Sequence, residues 1–223
     1  TADGFGKFGT LDTEEDWDCE ARRYYFGIVG KYGEQVQALL KKASTLEINT
    51  ICPLHGPILK ENLEHYINKY DIWSRYETED EGVFIAVASI YGNTMEVAKK
   101  LGQILEQKGA KKVTITDLAR EDMAEAVEDA FRYGKVILAA STYNMSVFPP
   151  MRQFLTNLKE RNYQKRKIGI IENGTWAPAA GKCMREILEQ MKEIEIIEPT
   201  ITIKSKMKDE DIAKLEKLAD EIL

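Results

Sequence analysis

Histidine is nearly absent from this sequence: its 223 residues contain two, His55 and His65. The chain by itself therefore cannot supply a histidine-rich dinuclear metal centre. Cysteine is also scarce, and Cys19, Cys52 and Cys183 are scattered and odd in number. That argues against a disulfide framework or a zinc ribbon and fits a reducing cytoplasm. No apolar run approaches the ~18 residues of a membrane span, and no signal peptide is visible. The net charge of −6 is spread over interspersed acids and bases. Without a basic stripe, nucleic acid is not expected as a partner. Two phosphate motifs are missing as well. There is no G-x-x-x-x-G-K-[ST], hence no nucleoside-triphosphate loop, and no G-x-G-x-x-G, hence no sign of a dinucleotide crevice. The chain opens without methionine, at Thr1-Ala2-Asp3-Gly4-Phe5-Gly6, which reads as the interior of a longer sequence.

What is present is a regular β/α alternation from residue 83 onward. Apolar runs of strand length stand at 83–88, 113–116, 136–140 and 168–171. A last strand, or a pair of strands broken around Pro199, lies within 194–203. Amphipathic helical patterns follow each run, with Pro149-Pro150 opening one of them, where proline suits a first helical turn. Such alternation predicts an α/β fold, a five-stranded parallel sheet of order 2-1-3-4-5 with helices on both faces. The expected domain is 83–223, joined by an acidic linker at 79–82 to a mainly helical segment, 1–78.

In this architecture ligands bind beyond the carboxyl ends of the strands. Three loops there are distinctive. Ser89-Ile90-Tyr91-Gly92-Asn93-Thr94 carries hydroxyls and a glycine into a helix N-terminus, which makes an anion cradle. An ordinary strand-to-helix turn with a Ser/Thr cap uses the same residue types. Ser141-Thr142-Tyr143-Asn144 begins a long polar and aromatic loop that also includes Met145. Asn173-Gly174-Thr175-Trp176 places a tryptophan in a small-residue loop, as a flat ligand or a partner surface would require. No histidine or cysteine nucleophile falls in these loops.

In the first segment, Trp17, Ala21, Tyr24, Tyr25 and Ile28 share a helical face, and so do Leu59, Leu63, Tyr66, Ile67, Tyr70 and Trp73. A short strand is expected at 48–52. His55 follows in a Pro/Gly turn, where a structural role and a metal-ligand role are both open. His65 reads as a solvated side chain.

Two sets of motifs together resemble the flavodiiron proteins (A-type flavoproteins). One is the S-x-Y-G-N-T loop with the T-x-N loop and Trp176. The other is Asp3-Gly4-Phe5-Gly6 with Cys52-Pro53-Leu54-His55-Gly56-Pro57. The resemblance implies a complete flavodoxin-like domain whose three loops hold FMN. Before it would stand only the C-terminal part of a metallo-β-lactamase-like domain. It implies Asp3 and His55 as metal positions, with iron bound as a diiron pair only if the missing ligands are supplied from elsewhere. It further implies electron transfer from a rubredoxin-like or other small redox protein, reduction of dioxygen or nitric oxide at the diiron site, and a head-to-tail homodimer in the cytoplasm. Two other readings stay open: a stand-alone FMN electron carrier, and a flavin-free interaction domain.

Overall fold

The computed structural model describes residues 17–223, so Asp3 lies outside the described residues. The chain divides into two compact units, 1–79 and 80–223. Among the described residues no helix is long and apolar enough to cross a membrane.

In the first unit, α1 (Asp18–Tyr24) runs into a π-helical stretch (Tyr25–Val29), a 3₁₀ turn (Gly30–Tyr32) and α2 (Gly33–Ala43). The expected single face does not persist through this change of period. Tyr25 and Phe26 are buried, whereas Ile28 is exposed, because a π turn advances the chain by more residues than an α turn. Gly33 opens α2 where a Cβ would lie 2.3 Å from the Ser74 carbonyl. The expected strand at 48–52 is reduced to an isolated antiparallel bridge between Ile51 and Leu59. α3 (Leu63–Ser74) delivers Tyr70 and Trp73 into an aromatic cluster with Tyr25 and Phe26.

Beneath that cluster sits Glu79, with its side chain 2% exposed. Its carboxylate accepts from Arg22 Nε at 2.7 Å and Arg22 Nη2 at 2.9 Å, and from Lys69 Nζ and Trp73 Nε1 at 2.6 Å each. Burial pushes this carboxyl up, but the hydrogen bonds and charge of Arg22, with Lys69 and the Trp73 N–H, outweigh it and hold it at about 2. His65 is not merely solvated: its Nε2 lies 2.7 Å from an Asp18 carboxylate oxygen.

The second unit has the expected α/β architecture. β1 (Asp80–Ala88), α4 (Asn93–Gln107), β2 (Val113–Asp117), α5 (Met123–Arg132) and β3 (Tyr133–Tyr143) come first. β4 (Ser146–Val147), α6 (Pro149–Glu160), β5 (Gln164–Asn173) and α7 (Ala180–Leu188) follow, then β6 (Lys192–Ile196), β7 (Ile201–Ile203) and α8 (Asp209–Ile222). The sheet runs β2-β1-β3-β5-β6, with β7 also on β5 and β4 on β3. β6 and β7 are the two pieces of the broken last strand. They pair in parallel with the first and last parts of β5 respectively. The principal order is thus 2-1-3-4-5.

Period-two burial explains the two layers. Val83, Ile85, Val87, Ile137, Ala139 and Ile171 form one core with α4 and α8. Phe84, Ala86, Val136 and Leu138, on the alternate pleat, are also fully buried. They point to the opposite face, where α5, α6 and α7 lie; Phe84 meets Phe154 there at 6.3 Å between ring centroids.

β1 begins at Asp80, inside the segment expected to be a linker. Its acidic character does not keep it out of the sheet, because Arg132 Nε donates to Asp80 Oδ2 at 2.6 Å and Asp80 pairs with Tyr133.

The depressed Glu79 pKa makes the first unit acid-labile. The carboxylate contributes stability fully above its ordinary value of 4.5, and that contribution is lost as pH falls toward about 2. The linked contribution is about 3 kcal/mol. Glu79→Gln should remove this pH dependence and cost about 3 kcal/mol at pH 7 through loss of the charge-assisted hydrogen bonds that the carboxylate accepts from Arg22 and Lys69. Urea unfolding followed by the fluorescence of buried Trp73 at pH 7 and pH 3 measures both; equal midpoints for wild type and variant at pH 7 would contradict it.

Candidate functional site

The register of the parallel strands brings three loops to one edge. Ala88 pairs with Ala140, Ser141 with Asn173, and Asn173 with Ile203. The chain leaving β1, β3, β5 and β7 therefore emerges along one line. The loops enclose a cavity of about 370 Å³. Its lining includes Ser89, Ile90, Tyr91, Asn93, Thr94, Ser141, Thr142, Asn144, Asn173, Gly174, Thr175 and Trp176, together with Met145, Ala177 and Ser205. Among the described residues that line it, none carries a charge.

One end is polar and preorganised. Ser89 and Thr94 are 2% and 1% exposed. Ser89 Oγ accepts the Gly92 N–H at 3.1 Å, which folds the loop back on itself, and Thr94 Oγ1 lies 3.0 Å from Ser141 Oγ. Gly92 does not itself line the cavity. It has φ +92°, and a Cβ there would meet no atom within 4 Å, so backbone conformation and not space favours glycine. α4 starts at the next residue, so its first N–H groups face this end of the sheet.

The other two loops are held by their own polar groups. Thr142 Oγ1 accepts the N–H groups of Ala179 and Ala180 at 3.0 and 3.2 Å, capping α7. Its own hydroxyl proton remains available as a donor toward the cavity. Asn173 spends its amide on structure: Nδ2 donates to the Ser205 carbonyl at 2.8 Å, and Oδ1 accepts the Ser205 N–H at 3.0 Å. That pairing carries Ser205 into the lining, a contribution the sequence reading missed. Its only local signal is a position just past the last strand. Glu172, also buried, accepts from Gly181 N and Thr202 Oγ1 at 2.8 Å each, tying β5, α7 and β7 together. Gly174 is favoured by close approach, since a Cβ would lie 3.0 Å from both Pro178 Cα and Thr142 Oγ1.

The long loop expected to begin at Ser141 is in fact a tight hairpin. Thr142 pairs with Val147 and Tyr143 with Ser146, with Asn144 and Met145 at the tip at φ 47° and 59°. Two left-handed central residues are the geometry of a type I′ turn. Tyr143 is not brought to the cavity; its ring meets Phe148 at 5.9 Å. Residues alternate sides along a strand, so pairing with Ser146 directs Tyr143 away while Thr142 and Asn144 face in.

The rim is aromatic and open. Trp176 is 95% exposed and Tyr91 91%, with Met145 also exposed. Large rings this exposed beside a concave polar site mark a surface that a flat ligand would cover.

Of the two expected metal positions, one lies among the described residues. Asp3 is outside the described residues. The His55 ring packs against Tyr24 at 5.3 Å. Among the described residues, no group of three or more His, Cys, Asp or Glu could hold a metal ion.

The flavodoxin domain family model matches residues 84–211. The anaerobic nitric oxide reductase flavorubredoxin of Aeromonas hydrophila is 25% identical over 164 residues, which is 72% of this chain and 33% of its own length. Rubredoxin oxygen:oxidoreductase from Desulfovibrio gigas has the same fold with a TM-score of 0.84 at 20% identity, covering 92% of this chain and 51% of that one. The flavodiiron protein of Giardia intestinalis matches with a TM-score of 0.84 at 20% identity, covering 99% of this chain and 56% of that one. The chain spans about half the length of the first curated relatives it matches. The matched residues include every loop that lines the cavity, and the chain belongs to the flavodoxin domain family.

Proposed function

We propose that this chain binds FMN at the 89–94, 141–145 and 173–177 loops and serves as the electron-transferring flavin domain of a flavodiiron-type oxidoreductase. The observation that carries this reading is the polarity of the cavity. Buried hydroxyls and a helix N-terminus stand at one end, and exposed Tyr91 and Trp176 at its rim. The residues present fit the group. Ser89, Thr94 and the backbone of Ile90 to Asn93 would hold the phosphate through neutral donors. Thr142 and Asn144 would bind the polar edge of the ring or the ribityl chain, and Trp176 and Tyr91 would cover the ring faces.

FMN, when bound, would supply one- and two-electron transfer. The protein's part is to bind, orient and shield. Asn173, Glu172 and Gly174 act indirectly, by locking the loops that carry Trp176 and Ser205. Among the described residues the lining contains no His, Cys, Asp or Glu, so these residues are suited to holding a redox group and not to acid–base or covalent catalysis.

A diiron centre is a different matter. His55 is the one described member of the expected pair, and the described donor set does not fit such a centre. Iron chemistry, with dioxygen or nitric oxide as acceptor, therefore rests on ligands supplied from beyond the described residues. We infer a rubredoxin-like or other small redox protein as electron donor and a head-to-tail homodimer as the assembly. The support is the family resemblance and, for the donor, the name of the Desulfovibrio gigas relative. The first unit is read on the same grounds as the C-terminal part of a metallo-β-lactamase-like domain.

Titration of the purified chain with FMN tests the reading. Binding should quench flavin fluorescence, and Trp176→Ala should weaken it about tenfold, the scale of one aromatic contact. Uptake of no FMN would favour a flavin-free interaction domain. Thr94→Val should weaken FMN more than riboflavin, which lacks the phosphate; equal losses would remove Thr94 from the phosphate end.

A further inference from the structure

Among the described residues the lining of the anion cradle has no charged side chain, yet a cation is fastened to its back. Arg120 lies in the connection between β2 and α5. Its Nη1 donates to the Ser89 carbonyl at 3.3 Å and to Asp117 Oδ2 at 2.7 Å. The connection is itself tightly determined. Leu118 N–H donates to the Val87 carbonyl at 2.8 Å, Ala119 N–H to Asp117 Oδ1 at 3.0 Å, and Asp117 N–H to Glu121 Oε1 at 2.8 Å. Asp117 is buried at the end of β2, where it pairs with Val87 of β1. The guanidinium is thus aimed from a fixed base at the first peptide of the loop.

We propose that Arg120 is a positioning residue for phosphate recognition, acting through the Ser89–Ile90 peptide. This rests on the FMN reading above. The carbonyl end of that peptide accepts from Arg120, and its N–H end belongs to Ile90, a lining residue. A cationic donor on the carbonyl polarises the peptide and strengthens its N–H as a donor to an anion. The same contact holds Ser89 in place, and Ser89 Oγ in turn organises Gly92. Asp117 neutralises most of the long-range field of Arg120, so the effect is a local dipole at one peptide. The acidic protein can then select a phosphate without an exposed cationic pocket that would attract other anions.

The Arg120 side chain is 58% exposed, so its replacement should leave the fold intact. The test is calorimetric titration of the full chain, as wild type, Arg120→Gln and Arg120→Lys, with FMN and with riboflavin. Arg120→Gln should weaken FMN about tenfold, the size of one charge-assisted hydrogen bond. Riboflavin affinity should not change, and Arg120→Lys should recover most of the loss. Unchanged FMN affinity in Arg120→Gln, or equal losses for the two ligands, would overturn the proposal while leaving FMN binding intact. A wild-type chain that binds neither ligand would overturn the FMN reading and this inference with it.

Discussion

The backbone ladder of β3, flanked in parallel by β1 and β5, is the constraint on which the second unit depends. Its register runs unbroken from Val83–Lys135 to Ala88–Ala140 on one side and from Lys135–Lys167 to Ser141–Asn173 on the other. Parallel strands cannot be joined by short turns, so each connection crosses a face of the sheet as a helix and returns. The parallel strands β1, β2, β3 and β5 must then all end at the same edge. Burial enforces the register, because a shift of one residue would turn Val83, Ile85 and Val87 from one core to the other and exchange them with Phe84, Ala86 and Ala88.

Because the edge is so determined, the loops can be irregular. The helix start at Asn93, the left-handed pair Asn144 and Met145, and the glycine-dependent approach of Gly174 to Pro178 all sit at that edge. Few of their polar groups are committed to a ligand in advance. Asn173 and Glu172 are consumed in locking loops, whereas Ser89, Thr94 and Thr142 combine a structural bond with a remaining donor or acceptor. The division lets one set of residues keep the shape while another meets what enters.

The first unit relies on a different kind of interaction. One buried carboxylate, Glu79, gathers Arg22, Lys69 and the Trp73 N–H beneath an aromatic cluster. Pairing and hydrogen bonding of this completeness compensate for desolvation. The sequence shows the aromatic stripe but not its electrostatic centre, since Arg22 and Glu79 lie 57 positions apart and neither stands in a recognisable motif.

The sequence by itself determined the β/α alternation, the strand order and the three loops, because periodic burial and turn chemistry are local properties of the chain. The sheet membership of Asp80 was decided by Arg132 and Tyr133, partners distant in sequence. Distant partners likewise decided the arrival of Ser205 through Asn173 and the reach of Arg120 to Ser89, a hydrogen bond across 31 positions. The 89–94 turn was legible as an anion cradle from its own residues. What supports that cradle from behind became visible only when β2 was laid beside β1, because lateral pairing brings the end of one strand's loop to the start of another's.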